Sequence, residues 1–328
     1  MQGVKRLAHL RAFQALDEAG LPQPTSLTPA SSVTNEVWLA DELVIRINRK
    51  VNGRLRREAT LARHLPPELG YPRIVAYGGR PGSDWLIVER VPGRVLSRCW
   101  PVMSPEGRRR AVSQLARRLR VLHSTPTPAG LMPLDAPQLL DAGGVAPVVP
   151  LMRALDRLHG MPHVDSRLVD GVESLVNELA TAILPFGDAR LIHGDLTFEN
   201  VLWDGHRITA MLDFEWSRGA PADVELDVLL RMCAFPFLHV AADYEAQTRA
   251  ADYLDVPRWL ADDIPELFST PRLFERLTLY AIAYDVRDLL AHPPAVEPRS
   301  LSPYHPVHRL QNTLRGASHL AWLERAQV

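Results

Sequence analysis

The chain has 328 residues, long enough for two domains or lobes with a sizeable core. Hydrophobic residues make up 46% and charged residues 23%, which excludes global disorder, and a net charge of −1 leaves no overall basic footprint for nucleic acid. No apolar run approaches the roughly 18 residues of a membrane span, and charges interrupt the N-terminus where a signal peptide needs its apolar core. Cys99 and Cys233 form no metal or redox spacing and suit a reducing compartment, so a cytoplasmic protein is expected.

Residues 1–20 read as a helix, with Leu7, Leu10, Phe13 and Leu16 at helical spacing, stopped by Gly20 and Pro22. A polar, proline-containing stretch follows to Ala30. Residues 35–40 and 43–48 read as strands around the Asp41-Glu42 turn, and 53–65 as a helix ended by Pro66-Pro67. Two more strands are expected at 73–78 and 84–90. The alternation predicts a small α+β lobe on an antiparallel sheet over residues 1–91, with Val91-Pro92-Gly93 as the hinge. Beyond it, over 92–328, helix predominates. Ser104 is a candidate N-cap ahead of Pro105 and Glu106, and Val112, Leu115, Leu119 and Leu122 form one apolar face. Residues 125–150 are rich in Pro and Gly and read as loop. Helices are expected near 150–160, at 167–184 and repeatedly within 222–327. Between them, VLW and RITAMLDF flank Asp204-Gly205, a hairpin signal.

The chemistry concentrates in LIHGDLTFENVLWDGHRITAMLDFEW, residues 191–216. Phosphoryl transfer asks a protein for a carboxylate that orients and deprotonates the attacking hydroxyl, and for oxygen ligands that hold Mg²⁺ against phosphates. Mg²⁺ takes one or two protein oxygens and completes its octahedron with phosphate and water. Asp195 suits the base. Asn200, five residues on, and Asp213, at the end of the hairpin, suit the metal. His193 is the expected exception, a hydrogen-bonded core residue and not a base.

HGDLTFENVL together with MLDFEW resembles the aminoglycoside phosphotransferase and choline-kinase-like family, relatives of protein kinases. The resemblance extends along most of the chain in consistent order. It implies a two-lobed, protein-kinase-like fold with a catalytic loop over 191–203. It places Arg46 of LVIRIN at the cation of the third strand and Glu58 of RREATLARHL at its helical partner. LIVERVPGRVL would supply hinge backbone at Glu89 and Val91 for an adenine edge, and Asp227 would brace the catalytic loop. Ser32 and Thr34 fall in the phosphate-covering loop, PASSVTNEVW, which lacks the family's glycine. Arg46 also departs from the kinase norm of Lys; it stays charged and grips phosphate bidentately, but it is bulkier.

The resemblance implies ATP or GTP with Mg²⁺ as cofactors, and a small-molecule hydroxyl acceptor in a monomer or homodimer. Neither nucleic acid nor membrane is an expected partner. The acceptor is expected beside Asp195, against the 150–184 and 222–290 helices. Residues 222–288 hold thirteen acidic residues against six arginines, which favours an antibiotic, an aminoglycoside-like polycation slightly ahead of a macrolide. A choline- or homoserine-like metabolite is the alternative. Two further rivals are a catalytically silent nucleotide-binding module and a protein kinase. HGD in place of HRD, DFE in place of DFG and the missing APE motif disfavour the last.

Overall fold

A computed structural model describes residues 2–32, 34–141, 144–187 and 190–326, with the backbone alone for 2–8 and 324–326. The N-terminal part runs α1 (Gln2–Glu18), β1 (Thr28–Ala30), β2 (Glu36–Ala40), β3 (Leu43–Ile47), α2 (Arg54–Leu61), β4 (Ile74–Gly78) and β5 (Trp85–Glu89). The strands form one antiparallel sheet in the order β1-β2-β3-β5-β4. Strand β1 was not expected. Its sequence, TPA, has no alternation to announce it, and Pro29 is tolerated because the strand lies at an edge.

Strand alternation assigns the two faces of the sheet. Ile45 and Ile47 of β3 pack with Trp38, Trp85 and Ile87 against Ala12, Ala15 and Leu16 of α1. The buried face of α1 is thus set by two alanines that let the helix approach closely. Leu10, expected on that face, is exposed, and the side chain of Leu7 lies outside the described residues. Val44 packs on the other face with Leu55, Ala59, Leu86 and Val88, where α2 lies. Arg46 shares that face and is therefore aimed at α2.

The sheet ends at Glu89, and the next strand, β6 (Arg94–Val95), pairs instead with the helical part of the chain. There follow α3 (Leu96–Cys99), α4 (Pro105–Ser124), α5 (Val149–Asp156), α6 (Ser166–Leu179), β7 (Arg190–Ile192), β8 (Val201–Trp203), β9 (Ile208–Met211) and β10 (Arg218–Ala220). The remainder is helical: α7 (Asp223–Ala234), α8 (Val256–Asp263), α9 (Pro265–Phe268), α10 (Leu273–Ala291), α11 (Pro306–Leu314) and α12 (Ala321–Ala326). Ser104 caps α4, its hydroxyl accepting from the Gly107 amide at 3.1 Å. Two short ribbons, β6-β8-β9 and β7-β10, sit on a single large core that includes Leu115, Leu119, Leu226, Leu277 and Ile282. Cys99 and Cys233 are buried free thiols. No described helix is long and apolar enough to cross a membrane.

Candidate active site

The loop between β7 and β8 carries His193, Gly194, Asp195 and Asn200, and its backbone is held from below. Glu225 of α7, fully buried, accepts the amide of His193 at 2.6 Å and that of Gly194 at 3.3 Å. Glu225, not Asp227, is therefore the residue that braces the loop. Asp227 is buried two positions further along α7, 3.6 Å from Arg231, and makes no described bond to the loop. Two residues apart on a helix point to different sides, so the docking of α7 decides which carboxylate reaches the loop. His193 is a core residue: its Nε2 lies 2.8 Å from the Leu212 carbonyl and its ring packs on Phe214. Gly194 has φ +80°, and a Cβ there would fall 2.5 Å from the Trp216 carbonyl and 2.7 Å from Arg218 Nη1. The glycine of HGD is thus required by both conformation and space.

The β8–β9 hairpin supplies the convergence of the two candidate metal ligands. Val201 pairs with Met211, and the Leu212 amide donates to the Asn200 carbonyl at 2.8 Å. This sets Asn200 opposite the residue preceding Asp213. The Asn200 Nδ2 donates to the Asp195 carbonyl at 2.8 Å, which commits the nitrogen and leaves the side-chain oxygen to coordinate. Asp213 sits in the left-handed region, φ +61°, an uncommon conformation for a residue other than glycine. Asp195 is half-buried at a cavity wall. Burial first, and then the Asp213 charge, pushes its carboxyl up to about 7.

Arg46 bridges the sheet to this loop. Its Nη1 donates to both Glu58 oxygens, at 2.8 and 2.7 Å, and its Nη2 to Asp213 Oδ1 at 2.8 Å. Glu58 also accepts the Phe214 amide at 3.1 Å and the Tyr71 hydroxyl at 3.0 Å, tying α2 to the DFE segment. Glu215 joins the cluster: carboxylate oxygens of Glu58, Asp213 and Glu215 lie within 4.8 Å of one another. Arg46 lies 3.8 Å and Arg54 3.6 Å from Glu215. Burial, then the Asp213 charge, pushes Glu215 up to about 8, and burial raises Glu58 as well. Three carboxyl groups thus share two arginines, and burial with this crowding holds Glu215 protonated at neutral pH. That crowding, the uncommitted Asn200 oxygen and the half-exposed Asp213 fit a hard divalent cation.

The other sequence candidates are more dispersed. The Ser32 hydroxyl donates to the Asn35 carbonyl, and Thr34 is exposed in the turn before β2. Asn35, matched in sequence only as part of the loop motif, is buried and donates to Glu215 Oε2 at 3.3 Å. The Ser31 hydroxyl donates to Asp243 at 3.0 Å, so the loop rests on the helical part. The Glu89 side chain pairs with Arg73 at the surface, and Val91 lies just past the end of β5, leaving backbone as what these two positions offer.

Beside Asp195 opens a cavity of about 200 Å³. Its walls come from residues 137–140, Phe186, the Trp216–Ala220 segment, α7 and α10. The 222–290 helices line it as expected, whereas the 150–184 helices do not. Of the thirteen acidic residues in 222–288, only Asp227 is part of the wall. Five of the others are paired elsewhere: Asp223 with Arg276, Asp252 with Arg108, Asp263 with Arg109, Glu266 with Arg120, and Asp285 with Arg231 and Arg309. Among the described residues the acidic surplus of 222–288 is not gathered at this cavity, because charge summed along a segment does not locate charge at a site.

Known proteins were compared with this chain. Residues 26–265 match the phosphotransferase enzyme family. An aminoglycoside 3'-phosphotransferase of Streptomyces ribosidificus is 31% identical over 188 residues, which are 56% of this chain and 66% of that enzyme, just under two thirds of its length. Among solved structures, aminoglycoside phosphotransferase APH(2'')-Ib bound to ADP superposes with a TM-score of 0.60 at 15% identity, covering 94% of this chain and 98% of that one. A choline/ethanolamine kinase family protein from Mesorhizobium loti gives 0.58 at 17% identity, covering 95% and 99%. The fold is therefore the protein-kinase-like one of these enzymes.

Proposed function

The chain belongs to the phosphotransferase enzyme family, and from that premise we propose that it transfers the γ-phosphate of ATP or GTP to a hydroxyl of a compact small molecule. The observation that carries this reading is the convergence of Asp195, Asn200 and Asp213 through one loop and one hairpin, with Arg46 held between Glu58 and Asp213. Asn200 and Asp213 would hold Mg²⁺. Bound there, the ion supplies charge neutralisation and alignment of the phosphate oxygens. Arg46 offers a fixed guanidinium to the phosphates, and Glu58 orients it. Asp195 takes the proton of the acceptor hydroxyl as its oxygen bonds the γ-phosphorus. The bond from that phosphorus to the β,γ-bridging oxygen breaks, and nucleoside diphosphate leaves. A carboxyl near pH 7 is well placed for this proton transfer.

An antibiotic acceptor keeps one support, the relative named as an aminoglycoside phosphotransferase. The cavity, about 200 Å³ and open to solvent, also accommodates a metabolite-sized acceptor beside Asp195. The test is a thermal-shift titration with ATP and GTP, with and without Mg²⁺, followed by nucleoside-diphosphate release over a panel of hydroxylated antibiotics and metabolites. Mg²⁺-dependent stabilisation and acceptor-dependent release are expected. Absence of both would remove the kinase reading.

A further inference from the structure

Of the four buried arginines among the described residues, three pair with carboxylates, and Arg57 instead donates to the Met132 and Glu215 carbonyls. Arg231 and Arg309 meet Asp285 at 3.1 and 2.8 Å, and Arg276 meets Asp223 at 2.6 Å. Two half-buried arginines in the wall of the acceptor cavity have no carboxylate beside them. Among the described residues, neither Arg218 of β10 nor Arg287 of α10 has a carboxylate oxygen within 4.0 Å. The one described hydrogen bond of Arg218 runs to the Trp216 carbonyl at 3.2 Å, and its Nη1 lies against Gly194, next to the proposed base. Arg287 makes no described hydrogen bond and rests over the rings of Tyr284 and Trp216, 4.8 and 5.4 Å from their centroids. A guanidinium presents five donors, and most of those on these two half-exposed side chains meet no protein acceptor, which leaves them open to a ligand. Burial pushes Arg218 down to about 10, a fall opposed by the Glu225 charge and reinforced by Arg287.

The same wall holds two acids, Asp195 and Asp227, which feel the Arg287 charge without coming within 4.0 Å of either guanidinium. Asp227 already faces Arg231, and Asp195 is reserved for the acceptor hydroxyl. We infer that the acceptor carries an anionic group, a carboxylate or phosphate, which Arg218 and Arg287 bind while its hydroxyl faces Asp195. This rests on the phosphotransferase reading and specifies its substrate class: a compact hydroxylated anion in place of a polycationic aminoglycoside. The aromatic walls, Phe186, Tyr280 and Tyr284, would cover its apolar flank.

The test uses the full chain with Mg·ATP. The probes are compact hydroxycarboxylates and phosphate monoesters, their uncharged amide or ester counterparts, and kanamycin as a polycation. Binding is read by calorimetry at millimolar probe, and turnover by nucleoside-diphosphate release. At least one anionic probe is expected to bind and its neutral counterpart to fail. Arg287→Met should raise the KM for that probe by about ten- to a hundredfold with the nucleotide KM unchanged, the usual worth of a charge-assisted bond. Arg287→Lys should recover part of the loss, which a purely structural role for the side chain would not predict. If carboxylates give the effect and phosphates do not, or the reverse, the anion is identified. The inference is overturned if Mg·ATP binds but no anionic probe does, if turnover is confined to kanamycin or neutral acceptors, or if Arg287→Met leaves the acceptor KM unaltered. Failure of Mg·ATP to bind at all would instead remove the parent reading.

Discussion

The two sides of Asp195 leave groups of opposite charge without a close partner. On the proposed nucleotide side, Glu58, Asp213 and Glu215 crowd together with Arg46 and Arg54, three carboxyl groups against two arginines. On the proposed acceptor side, Arg218 and Arg287 stand without a carboxylate within 4.0 Å among the described residues, although Asp195 and Asp227 share the wall. Each set of groups is open to a ligand of the opposite sign. A divalent cation answers the first, and the proposed acceptor anion answers the second. The contrast shows that a site's ligand is read from charge left unpaired, not from charge counted.

The largest expected effect breaks the point where the two sides meet. Asp195→Asn keeps the shape but cannot accept a proton, so turnover should fall by about 10²-fold or more while nucleotide binding survives. Steady-state release assays beside a thermal-shift titration check it; near-full turnover with chemistry rate-limiting would contradict the assignment. Next comes the proposed nucleotide side alone. At about 100 times Kd, Mg·nucleotide should stabilise the chain by roughly 2.7 kcal/mol. Asp213→Ala should lose most of that, whereas Arg287→Met should retain it.

The brace gives a third comparison, between neighbours on α7. Glu225→Ala strands two buried amides, so chemical denaturation should show a loss of about 1–3 kcal/mol. Asp227→Asn keeps a polar side chain beside Arg231 and should cost clearly less. Equal losses would mean that the brace is shared. The smallest expected effect is a pH slope. Glu215 titrates near 8 in the folded chain against an ordinary value of 4.5, and Asp195 is raised in the same direction, so folding takes up protons between those limits. The stability of the metal-free chain should be greatest at the acid end and fall as pH rises from about 5 to 8. Glu215→Gln, followed by urea melts across that range, should flatten the slope.

The cluster proposed as the nucleotide side was legible as a motif in the sequence because phosphoryl-transfer chemistry asks for residue types at fixed offsets. Asp195, Asn200 and Asp213 fall within one loop and one hairpin, and Arg46 and Glu58 within one strand and the next helix. Lobes, sheet and caps followed from periodicity and from Ser104-Pro105. The acceptor side was not legible. Its wall gathers residues from 137–140, Phe186, β10, α7 and α10, none of which forms a motif. Arg218 and Arg287 were two among many arginines until packing showed which lacked partners. Glu225 was hidden for a similar reason, since Asp227 stands two positions away and only helix docking separates them. Arg54 entered only through its 3.6 Å approach to Glu215, which no spacing rule encodes.

The measurement that bears most directly on the account is calorimetric binding of ATP and of GTP to the intact chain, with and without Mg²⁺. The account predicts saturable binding of at least one nucleotide that strengthens with Mg²⁺ and loses that dependence in Asp213→Ala. Absent binding, or binding indifferent to Mg²⁺ in the unaltered chain, would contradict it.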